Sequence, residues 1–227
     1  MMLLAIDTAT KWTGLALHNG RTIVAEAGWY SKNNQTVELA PAVDNMLKQS
    51  GVVANDLSGI AVAIGPGSYT GLRIGLGFAK GLVLANQTKL IGVPTLDILA
   101  SAMPRSEGNL VVVAEAGRSR VCSGRYEWAV GKGWESSEEP IITSWDQLID
   151  KAEAPATFAG EISPTSAKMI RSVKKDLKVT SAASSLRRAG YLAEIGWRRL
   201  KRGWIDDPGE LAPIYLLDPA GAVPQEK

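Results

Sequence analysis

The 227-residue sequence is short of the side chains that most often carry enzymatic chemistry: it holds one histidine, His18, and one cysteine, Cys122. A lone cysteine excludes an internal disulfide and fits a reducing, cytoplasmic compartment. Neither a His/Cys zinc cluster nor a HExxH protease motif can be assembled from one residue of each kind, and no metal site is expected. A Ser-His-Asp or Cys-His hydrolase would have to use His18 as its base, yet His18 closes a strand-like run just before Asn19-Gly20, the place of an ordinary strand-end side chain. No apolar run approaches the ~18–20 residues that span a bilayer. The opening MMLLAIDTAT has no basic segment ahead of an apolar one, so no leader or anchor is expected from it.

What is present reads as an α/β protein. Leu3–Asp7, Trp12–His18 and Arg21–Trp29 form a three-strand meander, with Asn19-Gly20 signalling a type I′ hairpin turn. A helix follows over Thr36–Gln49, capped by Asn33, Asn34 or Thr36 and stopped by Gly51, with Pro41 imposing a late start or a kink. Gly59–Ile64, Lys89–Gly92 and the helices starting at Thr70 and Thr95 continue the alternation. The second half repeats the order: strands at Asn109–Glu115, Arg118–Trp128 and Pro140–Thr143, then a short helix from Ser144. Strand Ala156–Gly160, a helix from Ser163, strand Leu177–Thr180 and a long last helix to Gly203 complete it. Each half is βββαβαβα, a mixed sheet with helices on both faces. Two such halves in tandem predict the two-lobed actin/Hsp70-like (ASKHA, ribonuclease H-like) fold. The expected lobes are 1–103 and 109–227, joined at Pro104–Gly108, with the extreme C-terminus packing back on the first lobe.

The most distinctive segment is Gly65-Pro66-Gly67-Ser68-Tyr69-Thr70-Gly71-Leu72-Arg73-Ile74-Gly75, a strand-to-helix junction. Ser68 or Thr70 caps the helix, and its free amides with Arg73 would suit an anion. It lacks the GK[ST] of a phosphate-binding loop and the spacing of a dinucleotide fingerprint, so a structural turn is an equal reading. From Gly71 to Asn86 the only charges are Arg73 and Lys80, and apolar residues point all around the helix, which therefore needs cover on more than one side. Gly71, Gly75 and Ala79 form an i, i+4, i+8 stripe of small residues. The stripe is read as a subunit interface, with burial inside the monomer as the competing explanation.

The run IGPGSYTGLRIGLGFAKGL, with LLAIDTAT and IGVPTLDILA, resembles the bacterial TsaB family, and similarity extends to Asn34–Leu47 and Glu210–Leu216. That family supplies the dimerisation subunit of the tRNA adenosine-37 threonylcarbamoyltransferase complex. The resemblance implies a non-catalytic scaffold or activator that pairs with the catalytic paralog TsaD and works with the ATPase TsaE. ATP and Mg are then used by the complex, and tRNA is met through it. It further implies that the first two helices form the heterodimer contact, through Gly67, Ser68, Tyr69, Thr70, Gly71, Leu72, Arg73, Gly75, Leu76, Ala79, Pro41 and Met46. An exposed apolar helix would also allow pairing with its own copy. Asn33-Asn34-Gln35-Thr36 stands where the paralog carries a metal-binding histidine pair, and amides do not replace imidazoles there. Glu115-Ala116-Gly117 and Gly160-Glu161-Ile162 depart from family motifs in the second lobe.

Two further features divide between function and structure. Asp7, Thr8 and Thr10 sit where nucleotide-binding members of the superfamily place a phosphate loop; the alternative is a turn whose hydroxyls satisfy backbone groups. With Glu161 as a second carboxylate, they would support the rival reading of an autonomous actin-like ATPase or small-molecule kinase. A peptidase is the remaining rival and depends on His18. Eleven basic residues against Asp176 and Glu194 lie between Ser163 and Trp204. Arg198, Arg199, Lys201 and Arg202 are the candidate tRNA contacts in that block, against the simpler reading of a solvated helix C-terminus whose dipole favours cations.

Overall fold

The computed structural model describes residues 1–116 and 120–216. Three antiparallel strands open the chain: β1 (Met2–Asp7), β2 (Trp12–His18) and β3 (Ile23–Tyr30). The β2–β3 connection is longer than a two-residue type I′ turn. Asn19 keeps an ordinary negative φ, and its Oδ1 accepts the Arg21 and Thr22 N–H groups at 2.9 and 3.0 Å, so the side chain does what positive backbone angles would have done.

Helix α1 (Gln35–Gln49) runs continuously through the exposed Pro41, and no side chain caps it at Asn34. After a short 3-10 turn, β4 (Leu57–Gly65) joins β1 in parallel; α2 (Tyr69–Asn86) and β5 (Lys89–Pro94) follow, and α3 (Thr95–Ala102) ends the first repeat. The sheet order is β3-β2-β1-β4-β5. Its core is the aliphatic set expected of a sheet covered on both faces, including Leu4, Ile6, Leu15, Leu39, Ile60 and Leu76.

The second sheet is built from β6 (Asn109–Glu115), β7 (Arg120–Ala129), β8 (Gly133–Ser136), β9 (Ile141–Ser144), β10 (Ala156–Gly160) and β11 (Leu177–Val179). Helices α4 (Trp145–Asp150) and α5 (Pro164–Val173) connect its parallel strands. Its order is β11-β10-β6-β7-β8, and β9 also pairs with β7. The third strand of this meander is thus split in two. Tyr126–Ala129 pairs with β8 and Arg120–Ser123 with β9, while the segment ending in Pro140, which has no N–H to give a ladder, lies between them.

The last helix, α6 (Ala189–Lys201), departs from the expected division at 103/109. It packs on β1, β2, β4 and β5, so Met1–Ile98 and Arg188–Ile214 form one unit, and Leu99–Arg187, with Tyr215 and Leu216, the other. Small residues on both surfaces allow this contact. A Cβ on Gly196 would lie 2.5 Å from that of Ala61, one on Gly59 would lie 3.1 Å from Leu200, and one on Gly14 would lie 3.2 Å from Ala189. Beyond α6 the chain covers the exposed edge of β5. Asp206 N–H donates to Leu90 O at 2.9 Å, the Asp206 carboxylate accepts Gly92 N–H at 2.8 Å, and Ile214 N–H donates to Ile64 O at 2.7 Å. The expectation for the extreme C-terminus beyond Leu216, and that for Gly117 and Arg118, lie outside the described residues. Among the described residues, no helix is long and apolar enough to cross a membrane.

Candidate functional site

The glycine-rich junction is held from inside its own unit. Strand β4 ends at Gly65 with φ +114°, where a Cβ would stand 2.5 Å from Ile214 O. Ser68 caps α2, its Oγ accepting Gly71 N–H at 3.3 Å, while its own N–H donates to Ala9 O at 2.6 Å. Thr8 Oγ1 donates to Gly71 O at 2.7 Å. A Cβ on Gly67, Gly71 or Gly75 would come within 2.2, 2.1 and 2.2 Å of Ala9 O, Thr8 O and Thr8 Oγ1.

The small-residue stripe therefore docks the first turns of α2 onto the β1–β2 turn of the same chain. This corrects the reading of Gly71, Gly75 and Ala79 as a subunit contact. Leu72, Leu76 and Ala79 are likewise core, and Met46 is buried on α1. Of the expected interface residues, Ser68, Thr70, Arg73 and Pro41 are exposed, and Gly67 and Tyr69 are half-buried. The Arg73 guanidinium lies 4.3 Å from the Tyr69 ring centre, a cation–π contact within the helix.

Asp7, Thr8 and Thr10 are all buried; Asp7 and Thr10 bond within their own turn, and Thr8 bonds to Gly71 O of α2. Asp7 Oδ1 accepts Ala9 N–H at 2.9 Å, Thr10 Oγ1 accepts Trp12 N–H at 3.3 Å, and Gln35 Nε2 donates to Thr10 O at 2.8 Å. Asp7 and Thr10 thus satisfy the backbone of their own turn, while Gln35 and Thr8 tie it to α1 and α2. Glu161 is similarly engaged: one carboxylate oxygen accepts Glu115 N–H at 2.7 Å, and the other lies 3.7 Å from the buried Arg187 guanidinium. His18 is 2% exposed; its Nδ1 accepts Gly20 N–H at 2.9 Å, its Nε2 lies 3.4 Å from Glu194, and its ring lies against that of Trp197 at 5.2 Å, tilted by 39°. An imidazole with both nitrogens engaged in this way is a poor general base. Among the described residues, no group of three or more His, Cys, Asp or Glu side chains converges.

The exposed side of α2 carries what sequence reasoning missed. Thr70, Arg73, Gly77, Gly81 and Leu84 face solvent, and a Cβ on Gly77 or Gly81 would meet nothing within 4 Å. Nothing in the chain's own packing asks for glycine at either position, although each costs a helix interior about 1 kcal/mol relative to alanine. Leu84 on α2 is 71% exposed and Val37 on the adjoining α1 is 70% exposed. The sequence signal was there: 72, 76, 79 and 83 on one side leave 70, 73, 77, 81 and 84 on the other. Both glycine pairs are four apart, so spacing alone did not say which pair faced inward.

The basic block of the sequence is divided between the two units. Lys168–Lys178 belongs to the second, and Arg188–Arg202 to the first. On α6, Arg198, Lys201 and Arg202 are exposed and Arg199 is half-buried. The Arg199 guanidinium donates to Gly92 O, while Lys201 and Arg202 sit 5.5 and 5.1 Å from the rings of Trp197 and Trp204.

Two mixed α/β sheets, each an antiparallel meander extended by parallel strands with crossover helices, define an actin-like two-lobed protein. YeaZ from Pseudomonas aeruginosa shares the fold with a TM-score of 0.76 at 24% identity, over 95% of this chain and 99% of that one. The activator of the 2-hydroxyisocaproyl-CoA dehydratase from Clostridium difficile does so more distantly, with a TM-score of 0.51 at 10% identity over 94% and 99% of the two chains. The family model of TsaD, tRNA N6-adenosine threonylcarbamoyltransferase, matches residues 30–195. The tRNA threonylcarbamoyladenosine biosynthesis protein TsaB of Bacillus subtilis is 33% identical over 219 residues, 95% of this chain and 94% of that protein. The chain belongs to the TsaB family, which shares its ancestry with TsaD.

Proposed function

We propose that this protein is a non-catalytic subunit of the cytoplasmic machinery that forms N6-threonylcarbamoyladenosine at adenosine 37 of tRNAs. It acts by pairing with a TsaD-like catalytic paralog, in cooperation with a TsaE-like ATPase; ATP and Mg are used by the complex rather than held by this chain. Family membership supports the process, since the Bacillus subtilis relative bears that name over nearly its whole length.

The observation that carries the subunit role is the solvent face of α2, where Gly77 and Gly81 leave the helix backbone open on the side that also exposes Leu84. Bare backbone on a side with an exposed apolar residue suits the close approach of another helix, and the paralog's equivalent helix is the natural occupant. The inward engagement of Asp7, Thr8, Thr10 and Glu161 supports the absence of independent nucleotide chemistry. Reconstitution tests the reading. The purified chain alone should neither modify tRNA nor turn over ATP, and should restore both when added to the catalytic paralog and the ATPase. Robust activity from the lone chain would contradict it.

A further inference from the structure

The α5–β11 corner of the second unit concentrates charge that its own fold does not use. Between Lys168 and Lys178 stand five basic residues and a single acid, Asp176, in a chain whose net charge is only +2. Ile170 and Leu177 are buried in one cluster beneath the corner, which fixes the outward direction. Lys168 and Arg171, three apart, share the exposed side of α5, and Lys175 lies in the exposed turn that follows; Lys178, alternating with Leu177 on β11, belongs to the other face of the sheet.

Of the five, only Lys174 is tied down, its Nζ donating to Ala152 O at 2.9 Å. Among the described residues, Lys168, Arg171, Lys175 and Lys178 have no ion-pair or hydrogen-bond partner. Two local explanations cover part of the set. Arg171 complements the C-terminal dipole of α5, and Lys178 guards β11, an edge strand. Neither explanation reaches Lys168 or Lys175. At the end of α6, Arg199 is spent on a carbonyl and Lys201 and Arg202 on indole rings, which leaves Arg198, among the described residues, as the one cation there without a partner.

We infer that Lys168, Arg171 and Lys175 form a docking surface for the phosphate backbone of an RNA. The inference rests on the tRNA-modifying role proposed above, which supplies the polyanion. Unpaired, solvated cations on one corner, with no aromatic or base-reading side chain among them, suit sequence-independent phosphate neutralisation.

The test is binding of a fluorescein-labelled tRNA transcript to the full-length protein by anisotropy across a potassium chloride series. The variants are K168E/R171E/K175E and R198E/K201E/R202E. Each phosphate contact contributes about 0.7–0.9 to the slope of log affinity against log salt. The first variant should lower the slope by about two or more; the second should leave it near the wild-type value. Both should keep wild-type melting temperatures and pairing with the catalytic paralog. Absence of salt-dependent binding by the wild type overturns the inference, as does an unchanged slope in the first variant. Loss of the paralog instead of the tRNA by the first variant would mark the corner as a protein-docking surface and also overturns it. Failure of the wild type to pair with the paralog counts against the proposed function and is read separately.

Discussion

Thr8 shows how one side chain can decide the role of a motif. Its hydroxyl donates to Gly71 O and its own carbonyl and Oγ1 fill the space that Cβ atoms on Gly71 and Gly75 would need. At Gly71 the obstacle is backbone, which cannot rotate away. Gly71→Ala should therefore cost about 3 kcal/mol, near the top of the range for overpacking, as measured by urea unfolding. Cys122 makes the opposite kind of prediction, because nothing depends on its reactivity. Burial pushes its thiol from 9.0 up to about 12. Between those values the unfolded chain has lost the proton and the folded chain keeps it, so stability falls as pH rises through that window. The fall amounts to up to about 1.4 kcal/mol per pH unit. Native protein should be inert to Ellman's reagent at pH 8 and react fully in guanidinium, and C122A should flatten the alkaline loss of stability.

At the scale of elements, each helix needs its end satisfied, and the two that frame the first sheet do so differently. Ser68 caps α2 locally, so Ser68→Ala should cost about 1 kcal/mol. Arg188, at the N-terminus of α6, provides no side-chain cap; Glu26 reaches from β3 instead, accepting Gly190 N–H at 2.8 Å and the Arg188 guanidinium. The adjacent carboxylate raises the pKa of Arg188, by hydrogen bond first and charge second. Glu26→Ala should lower stability by about 1 kcal/mol in urea unfolding, although it lies far from α6 in sequence.

The order of these elements was legible from periodicity and turn residues, because alternation and capping are local. For that reason Ser144 was read as a cap, Ser68 as one of two candidate caps and Ser163 as a helix start, and all three cap their helices. The splitting of the third strand into β8 and β9 was not, since it depends on the register each finds against β7. Glu26 as a remote cap was equally invisible, being a contact across 164 positions.

At the scale of the whole molecule, the chain returns to its first unit after completing the second sheet. Sequence order suggested that α6 would stay with the strands preceding it. The glycines that receive it, Gly14 and Gly59, lie more than a hundred residues earlier and say nothing of their partner until the sheet is assembled. The candidate interface was legible as a helix but not as a face: the need for a second covering was visible in its composition, whereas its phase required Thr8 to be placed. The basic block, continuous in sequence, proves to be two surfaces on two units.

The central claim is that α2 turns one glycine pair inward for the fold and another outward for a partner. Co-purification of the catalytic paralog with Gly75→Glu and Gly81→Glu, each paired with a thermal melt, tests it most directly. The account predicts that Gly75→Glu unfolds the protein, because its Cβ would stand 2.2 Å from Thr8 Oγ1. It predicts that Gly81→Glu melts no lower than wild type, since the helix gains a better former, yet loses the paralog. A stable Gly81→Glu protein that still captures the paralog at wild-type levels would contradict it.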